Sequence, residues 1–534
     1  MKIKISSLCI SIMGLSQAGY AQTSIPPGPI SSPDGSLVGA WTQFIPGTGQ
    51  SKLEPATVEL RFVVQATSTT SPPKLDQAYC GDFVIAYTKS DGTQGLDTKL
   101  TARTHPLEKG KRDSKNFPIA VCTKTLPQDW ADLKIIKSTG SISDPAEYIW
   151  YEDGATSTQA ELPGPYKVGR RHKDGTTAVI RSVTLGDTGC RGARDGQNCQ
   201  SQNDWPQATI VQSAANQNPD LILHVGDYRY FYEGKTPDTW SYWLKDFVEP
   251  ARPLLVKAPW ALSRGNHEQC SPSWYGKGYS FLFGPTDTPC NFLLDPTWHF
   301  DVAPGGFDIS GNSSHAQRYI MIDTSNEYGG GLDIRFEDAL KQSNQESTWW
   351  ISHIPPVNML YYGGAVHPGT RGVYDAMHDA IDNTGIALCD TGRTGQPKCR
   401  PNTVLLGHNH MFQTVQFFDK NNHFTWPQMY IVGHGGVDLR GASVPDSCTY
   451  TFDLPDKTSK AANIQSRRSF GFVTWERSSA TAAKPSGWTA IPRDKNGNPW
   501  HHTSPSTQDC VKKDKTVAED VNVDKKPWWK FWDD

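Results

Sequence analysis

Five short polar blocks recur in a fixed order through the middle of this chain, each at the end of an apolar run. They are Gly186-Asp187-Thr188-Gly189, Gly226-Asp227-Tyr228-Arg229-Tyr230, Gly265-Asn266-His267-Glu268, Ile351-Ser352-His353 and Gly407-His408-Asn409-His410. The runs themselves, 178–185 (AVIRSVTL), 220–225 (DLILHV), 259–263 (PWALS), 348–352 (TWWIS) and 402–406 (NTVLL), are short and rich in β-branched or aromatic residues, which reads as strands. Helix-like stretches follow the first run at 205–217 and the second at 239–255. Alternating strands and helices predict a central sheet with helices packed on it. In such sheets ligands bind beyond the carboxyl ends of the strands. The five blocks are then expected to converge on one edge. A single Gly-Asp pair is ordinary turn chemistry; five in series, each after a strand-like run, are not explained by turns alone.

The blocks supply carboxylates, an amide, a phenol and imidazoles, a set able to hold two metal ions side by side. A phosphate ester is anionic, so a nucleophile must approach it against like charge. Two cations roughly 3.5–4 Å apart clamp the phosphoryl oxygens and lower the pKa of a shared water from 15.7 towards about 7. A bridging carboxylate sets that separation, and Asp227 is the natural candidate. Mixed oxygen and imidazole donors suit Zn, Fe or Mn, and a phenolate, being a hard donor, tips one site towards Fe(III). The departing alkoxide needs a proton or a positive partner, a role worth on the order of 10²–10⁴-fold. His267 stands in the right block for it, with Glu268 able to orient the ring. Alternate residues of Gly407-His408-Asn409-His410 can project towards one site as the chain leaves its strand. Only one of Tyr228 and Tyr230 can be the ligand, the other being a half-buried aromatic. His353, alone after its strand, has a structural alternative.

The order Asp-x-Gly, Gly-Asp-x-x-Tyr, Gly-Asn-His-Glu, single His, Gly-His-x-His resembles the calcineurin-like metallophosphoesterases. Tyr230 and Gly189 in these blocks are most similar to the purple acid phosphatase branch. The resemblance spans roughly residues 179–436. It implies an α/β fold of two central mixed β-sheets flanked by helices. It implies that Asp187, Tyr230 and His410 bind a first metal, that Asn266, His353 and His408 bind a second, and that Asp227 bridges them. His267 would contact the phosphate and assist the leaving group. The implied cofactors are two metal ions, Fe(III) with Zn(II), Fe(II) or Mn(II). The implied reaction is hydrolysis of small phosphate monoesters by metal-activated water. A phosphodiesterase acting on nucleotides or phospholipid headgroups uses the same ligands and is the alternative; a binding or adhesion protein with a degenerate metal site is the alternative of another class. The branch usually carries further imidazoles soon after the fourth block. Here His353-Ile354-Pro355-Pro356-Val357-Asn358 lacks them, and the next histidine, His367, is the candidate for that substrate-side role. Arg191, just past the first block, is a second candidate substrate contact, because a guanidinium fork suits a phosphate. His434 is read as a loop residue near the site, not a ligand.

Outside these blocks, Met1-Lys2-Ile3-Lys4, an apolar run to about Leu15 and Gly19-Tyr20-Ala21 before Gln22 read as a signal peptide over 1–21, which places the protein in the periplasm or outside the cell. No later stretch reaches the roughly 20 apolar residues of a membrane helix. Losing Lys2 and Lys4 with the signal leaves about 50 Lys and Arg against 55 Asp and Glu. That balance argues against a protein that coats nucleic acid, which is normally basic. Ten cysteines remain after Cys9 is discounted. Proximity suggests Cys80–Cys122, Cys190–Cys199, Cys270–Cys290, Cys389–Cys399 and Cys448–Cys510, although spacing alone does not prove connectivity. Residues 22–165 carry strand-like runs at 58–64 and 83–87 and are expected to form a β-rich N-terminal domain, a small sandwich, with 161–165 as linker. The catalytic domain is expected over 166–480 and a C-terminal extension over 481–534. The last residues, Pro527-Trp528-Trp529-Lys530-Phe531-Trp532-Asp533-Asp534, are candidates for contact with a surface or membrane interface, or for docking on the protein itself.

Overall fold

The computed structural model describes residues 36–500 without 48–53, 66–75, 109, 138–160, 171, 174–177, 193–195, 231–236, 271–274, 291–293, 308–315, 327–329, 344–346, 363–364, 368, 391–397, 420–424, 440–446, 455–458 and 479–487. The expected signal segment and the aromatic C-terminal tail lie outside the described residues.

The strand-like runs become strands of two large sheets. The first sheet contains β1 (Ser36–Ile45), β2 (Thr57–Gln65), β3 (Ile119–Thr125), β4 (Ala178–Leu185), β5 (Leu221–His224) and β6 (Trp260–Leu262). The second contains β7 (Trp298–Val302), β8 (Gln317–Met321), β9 (Thr348–Ile351), β10 (Thr403–Leu406), β11 (Phe412–Phe418), β12 (Gln428–Val432), β13 (Ser447–Asp453) and β14 (Ser459–Arg467). The chain then returns to the first sheet through β15 (Gly471–Ser478) and β16 (Trp488–Asp494). The first sheet runs β16-β15-β4-β5-β6-β1-β2-β3 and the second β7-β8-β9-β10-β12-β11-β14-β13. β4, β5, β6 and β1 are parallel, as are β8, β9, β10 and β12, while the flanking pairs are antiparallel. Both sheets are therefore mixed, and each has a parallel centre whose carboxyl ends carry the polar blocks.

Side-chain alternation accounts for the layering. Leu221 and Leu223 of β5 join Trp349 and Ile351 of β9 and Leu405 of β10 in one core between the sheets. The intervening Ile222 faces a second core with α1 (Gln207–Ala215). Trp350, Val404 and Leu406 face a third with α2 (Leu332–Gln342) and α3 (Arg371–Thr384). Successive strand residues point to opposite faces, and strands covered on both faces read as continuous apolar runs. That is why 220–225 and 402–406 show no polar alternation. Trp475 of β15 packs against Trp349 and Tyr430, at 4.7 and 4.6 Å between ring centroids, and so joins the two sheets through aromatic edges.

The N-terminal region is β-rich, as expected, and part of it is continuous with the first sheet. β1 pairs in parallel with β6, and β2 and β3 continue the same sheet outwards. A small four-stranded sheet also forms there from Leu162–Pro163, Trp130–Lys137, Phe83–Lys89 and Gln94–Asp97. The segment expected to be a linker thus supplies a strand. Four of the five cysteine pairings are formed, Cys80–Cys122, Cys190–Cys199, Cys270–Cys290 and Cys389–Cys399. Cys510 of the fifth lies outside the described residues.

Candidate metal centre

Strand ends deliver the polar side chains through unusual backbone. Four non-glycine residues among the described ones have a positive φ, and three of them are Asp187 (55°), Asp227 (59°) and His408 (72°). Such conformations are sparsely populated and cluster at functional sites. Here they are held from several directions. Asp187 N–H donates to Gly226 O at 2.9 Å and Thr188 N–H to Asp227 O at 3.0 Å, which clips the first two blocks together. His408 N–H reaches both carboxylate oxygens of Asp187, at 3.0 and 2.9 Å. The glycine before it is obligatory: a Cβ on Gly407 would lie 2.6 Å from Asp187 Oδ2 and 2.9 Å from His353 Nδ1.

Seven of the expected residues meet in one buried cluster. The Tyr230 hydroxyl lies 3.0 Å from Asp187 Oδ1, 3.1 Å from Asp227 Oδ2 and 3.3 Å from His410 Nε2. On the other side, Asn266 Oδ1 lies 3.0 Å from His353 Nε2 and 2.9 Å from His408 Nδ1. Asp227 faces both groups, since its Oδ2 is also 3.2 Å from His353 Nε2. Donor atoms of Asp227, His353 and His408 all fall within 4.8 Å of one another. The Tyr228 hydroxyl, by contrast, donates to Ser263 O at 2.9 Å and points away.

The arrangement fits a cation. His353 Nδ1 sits 2.7 Å from Val225 O and His410 Nδ1 2.9 Å from Asp438 O. A carbonyl can only accept, so each Nδ1 carries the proton and each Nε2 is left free to act as a donor to metal. In neutral His353 that Nε2 lone pair faces the lone pairs of Asn266 Oδ1, a contact that a positive charge satisfies. Ionisation reflects the same crowding. Burial pushes the Asp187 carboxyl up to about 6, with the Asp227 charge adding to it and His353 opposing. Burial works against the charged form of His353 too, yet the adjoining Asp227 carboxylate raises its imidazole to about 9. Burial alone would raise Asp227, but the imidazoles of His353 and His267 hold it well below the usual carboxylate range. Burial, with Asp187 and Asp227 nearby, drives the Tyr230 phenol well above its ordinary value.

His267 lines the same space. Its ring packs on Tyr230 at 4.3 Å between centroids, its backbone N–H donates to Asp227 Oδ1 at 3.1 Å, and burial lowers its imidazole to about 3. Glu268 does not take the ring-orienting role expected of it. Its carboxylate accepts the backbone N–H groups of Asp227, Tyr228 and Gly265, at 3.0, 3.0 and 3.1 Å, and of Arg229 at 3.4 Å. It therefore ties the second block to the third. Arg191 is buried, with its guanidinium 5.6 Å from the Tyr230 ring centroid and 4.0 Å from Asp438 Oδ1. Cys190–Cys199 closes the loop that carries it. His367 ends the hairpin Leu360–Tyr362/Ala365–His367 that follows His353. His434 stands apart from the cluster, buried against Phe412 and Trp500.

Four supporting residues escaped the sequence reading. Asp438 anchors His410. Thr324 Oγ1 accepts the N–H groups of His353 and Ile354, at 3.2 and 2.9 Å. The buried Arg264–Asp323 ion pair joins the end of β6 to the end of β8. Asp323-Thr324 follows the apolar end of β8 just as the five blocks follow their strands, and that position is the signal that could have found it.

Residues 180–412 match the calcineurin-like phosphoesterase family, so this stretch is a calcineurin-like phosphoesterase domain. It is a phosphoesterase hydrolase whose family implies a dinuclear metal centre. The fold is similar to that of the purple acid phosphatase PPD1 isolated from yellow lupin (Lupinus luteus) seeds. That likeness has a TM-score of 0.50 and 13% identity, covering 87% of this chain and 73% of that one. PhoD overlaps with a TM-score of 0.45 and 12% identity over 88% of this chain and 92% of its own. Among curated proteins none matches the chain significantly. No helix among the described residues is long and apolar enough to cross a membrane.

Proposed function

We propose that the chain is a purple acid phosphatase-like enzyme that hydrolyses phosphate monoesters, with Fe(III) beside Asp187, Tyr230 and His410. A Zn(II), Fe(II) or Mn(II) ion would be held by Asn266, His353 and His408, and Asp227 would serve both. The observation that carries this reading is the Tyr230 hydroxyl within 3.0–3.3 Å of Asp187, Asp227 and His410, opposite an amide and two imidazoles that also converge. Two such ions supply Lewis acidity towards the phosphoryl oxygens and lower the pKa of a shared water towards about 7.

The chain's own residues do the rest. Asp227 spaces the two donor groups. The Nδ1–H bonds of His353 and His410 fix which nitrogen each ring presents. Burial keeps the His267 imidazole neutral; the charge of an incoming phosphate raises its proton affinity, so once protonated it can hydrogen-bond the ester and pass that proton to the leaving oxygen. Arg191, whose guanidinium lies 5.6 Å from the Tyr230 ring centroid, is the proposed partner of a second phosphoryl oxygen, and His367 is a further candidate contact. Export to an oxidising compartment is part of the proposal, supported by four formed disulfides.

The test is turnover of p-nitrophenyl phosphate against bis(p-nitrophenyl) phosphate, with and without chelator. Chelator-sensitive hydrolysis with higher kcat/KM on the monoester is expected. Higher kcat/KM on the diester would overturn the monoester reading in favour of a phosphodiesterase on the same centre.

A further inference from the structure

Beneath the two carboxylate turns lies a histidine that the ligand set does not use. His224, the last residue of β5, is fully buried and stacks on the Tyr228 ring at 4.1 Å between centroids and 16° between planes. Phe247 meets it edge-on at 5.6 Å. Both ring nitrogens are engaged. Gly226 N–H lies 3.3 Å from Nδ1, and Thr188 Oγ1 lies 3.1 Å from Nε2. A backbone N–H can only donate, so Nδ1 is the acceptor and the ring proton sits on Nε2, donated to Thr188.

The two partners are the immediate neighbours of the two carboxylates. Thr188 follows Asp187 and Gly226 precedes Asp227, and Asp187, Gly226 and Asp227 all have a positive φ. Two backbone hydrogen bonds already join these turns, Asp187 N–H to Gly226 O and Thr188 N–H to Asp227 O. Above them the Tyr230 hydroxyl touches both carboxylates, and the His224 ring adds a further side-chain link from below. Packing alone would be served by any aromatic ring on Tyr228. The placement of an acceptor under one turn and a donor under the other is what an imidazole adds.

We infer that His224 is a positioning residue of the metal centre: its ring spans the Thr188 and Gly226 turns and sets the spacing between the Asp187 and Asp227 carboxylates. The inference rests on the dinuclear reading above. Groups at this remove from a metal typically change its affinity 10–100-fold when lost.

The experiment is calorimetric titration of the metal-stripped full-length chain with Zn(II), well below the melting temperature of each variant. Thr188→Val removes only the hydroxyl, and His224→Asn keeps an acceptor near Gly226 but cannot reach Thr188. Each is expected to weaken Zn(II) binding about 10–100-fold. The double variant should be no weaker than the weaker single one, and Thr188→Ser should restore wild-type affinity. A merely structural ring would lower the melting temperature and leave affinity on the folded protein unchanged. Thr188→Val binding Zn(II) within about twofold of wild type, far short of that range, would overturn the inference even if His224→Asn does not fold. Wild type binding no Zn(II) would instead overturn the metal-centre reading on which it stands.

Discussion

Single side chains carry the chemistry, and their roles separate cleanly under substitution. His267→Ala should lower kcat by about 10²–10⁴-fold while leaving metal content intact, because in the proposed mechanism its ring would assist the leaving group and hold no metal. A parallel loss of metal in that variant would reassign it as a ligand. Metal uptake should also release protons. At pH 7 the metal-free site holds His353 charged, since Asp227 raises its imidazole to about 9. That group is raised above its ordinary 6.5, so the stability it lends the metal-free fold is full below about 6.5 and fades as pH rises through about 9. Binding a cation requires the neutral ring, so Zn(II) binding at pH 7 should expel a proton that is already gone at pH 10. Calorimetry in buffers of different ionisation enthalpy checks this: no buffer dependence at pH 7 would contradict it. Below about pH 6 the buried Asp187 also protonates, and affinity should fall further.

At the scale of elements, the site depends on strand ends locked in left-handed turns. Glu268 is the main lock, fully buried and accepting four backbone N–H groups from two blocks. Glu268→Gln turns one accepting oxygen into a donor facing donors, and should cost about 1–3 kcal/mol of stability, read as a lower melting temperature of the metal-free protein. This residue marks where sequence reasoning ran out. The strands were legible because β4, β5, β6, β9 and β10 are short apolar runs buried on both faces, and the cluster was legible because each run ends in Gly or Ser beside a polar side chain. Tyr230 stood apart from Tyr228 only by resemblance, and the structure separates them through the Ser263 carbonyl that takes the Tyr228 hydroxyl. Glu268, Thr324 and Asp438 act on backbone groups distant in sequence, and no local pattern reveals which N–H or ring a carboxylate will meet.

Over the whole molecule, the N-terminal strands belong to the catalytic sheet. Phe44, Val58, Leu60, Phe62 and Val64 from β1 and β2 sit in the core shared with β5 and β9. Fully burying such side chains is worth about 1.5–3 kcal/mol each, together comparable to the whole 5–15 kcal/mol stability of a domain. Arg61 of β2 also binds the carbonyls of Leu282 and Gly284, both at 2.8 Å, at the end of the helix Gly276–Leu282 that follows the third block. A chain beginning at residue 166 should therefore fail to fold; a soluble, cooperatively melting fragment would contradict this. β1 pairs with β6 across more than two hundred residues, a contact invisible to local pattern. The central claim, that these sheets assemble a two-ion centre shared through Asp227, is tested most directly by metal analysis of the purified full-length chain beside Asp227→Asn. The account predicts about two metal ions per wild-type chain and a clear loss in the variant. No bound metal in the wild type after reconstitution, or an undiminished content in Asp227→Asn, would contradict it.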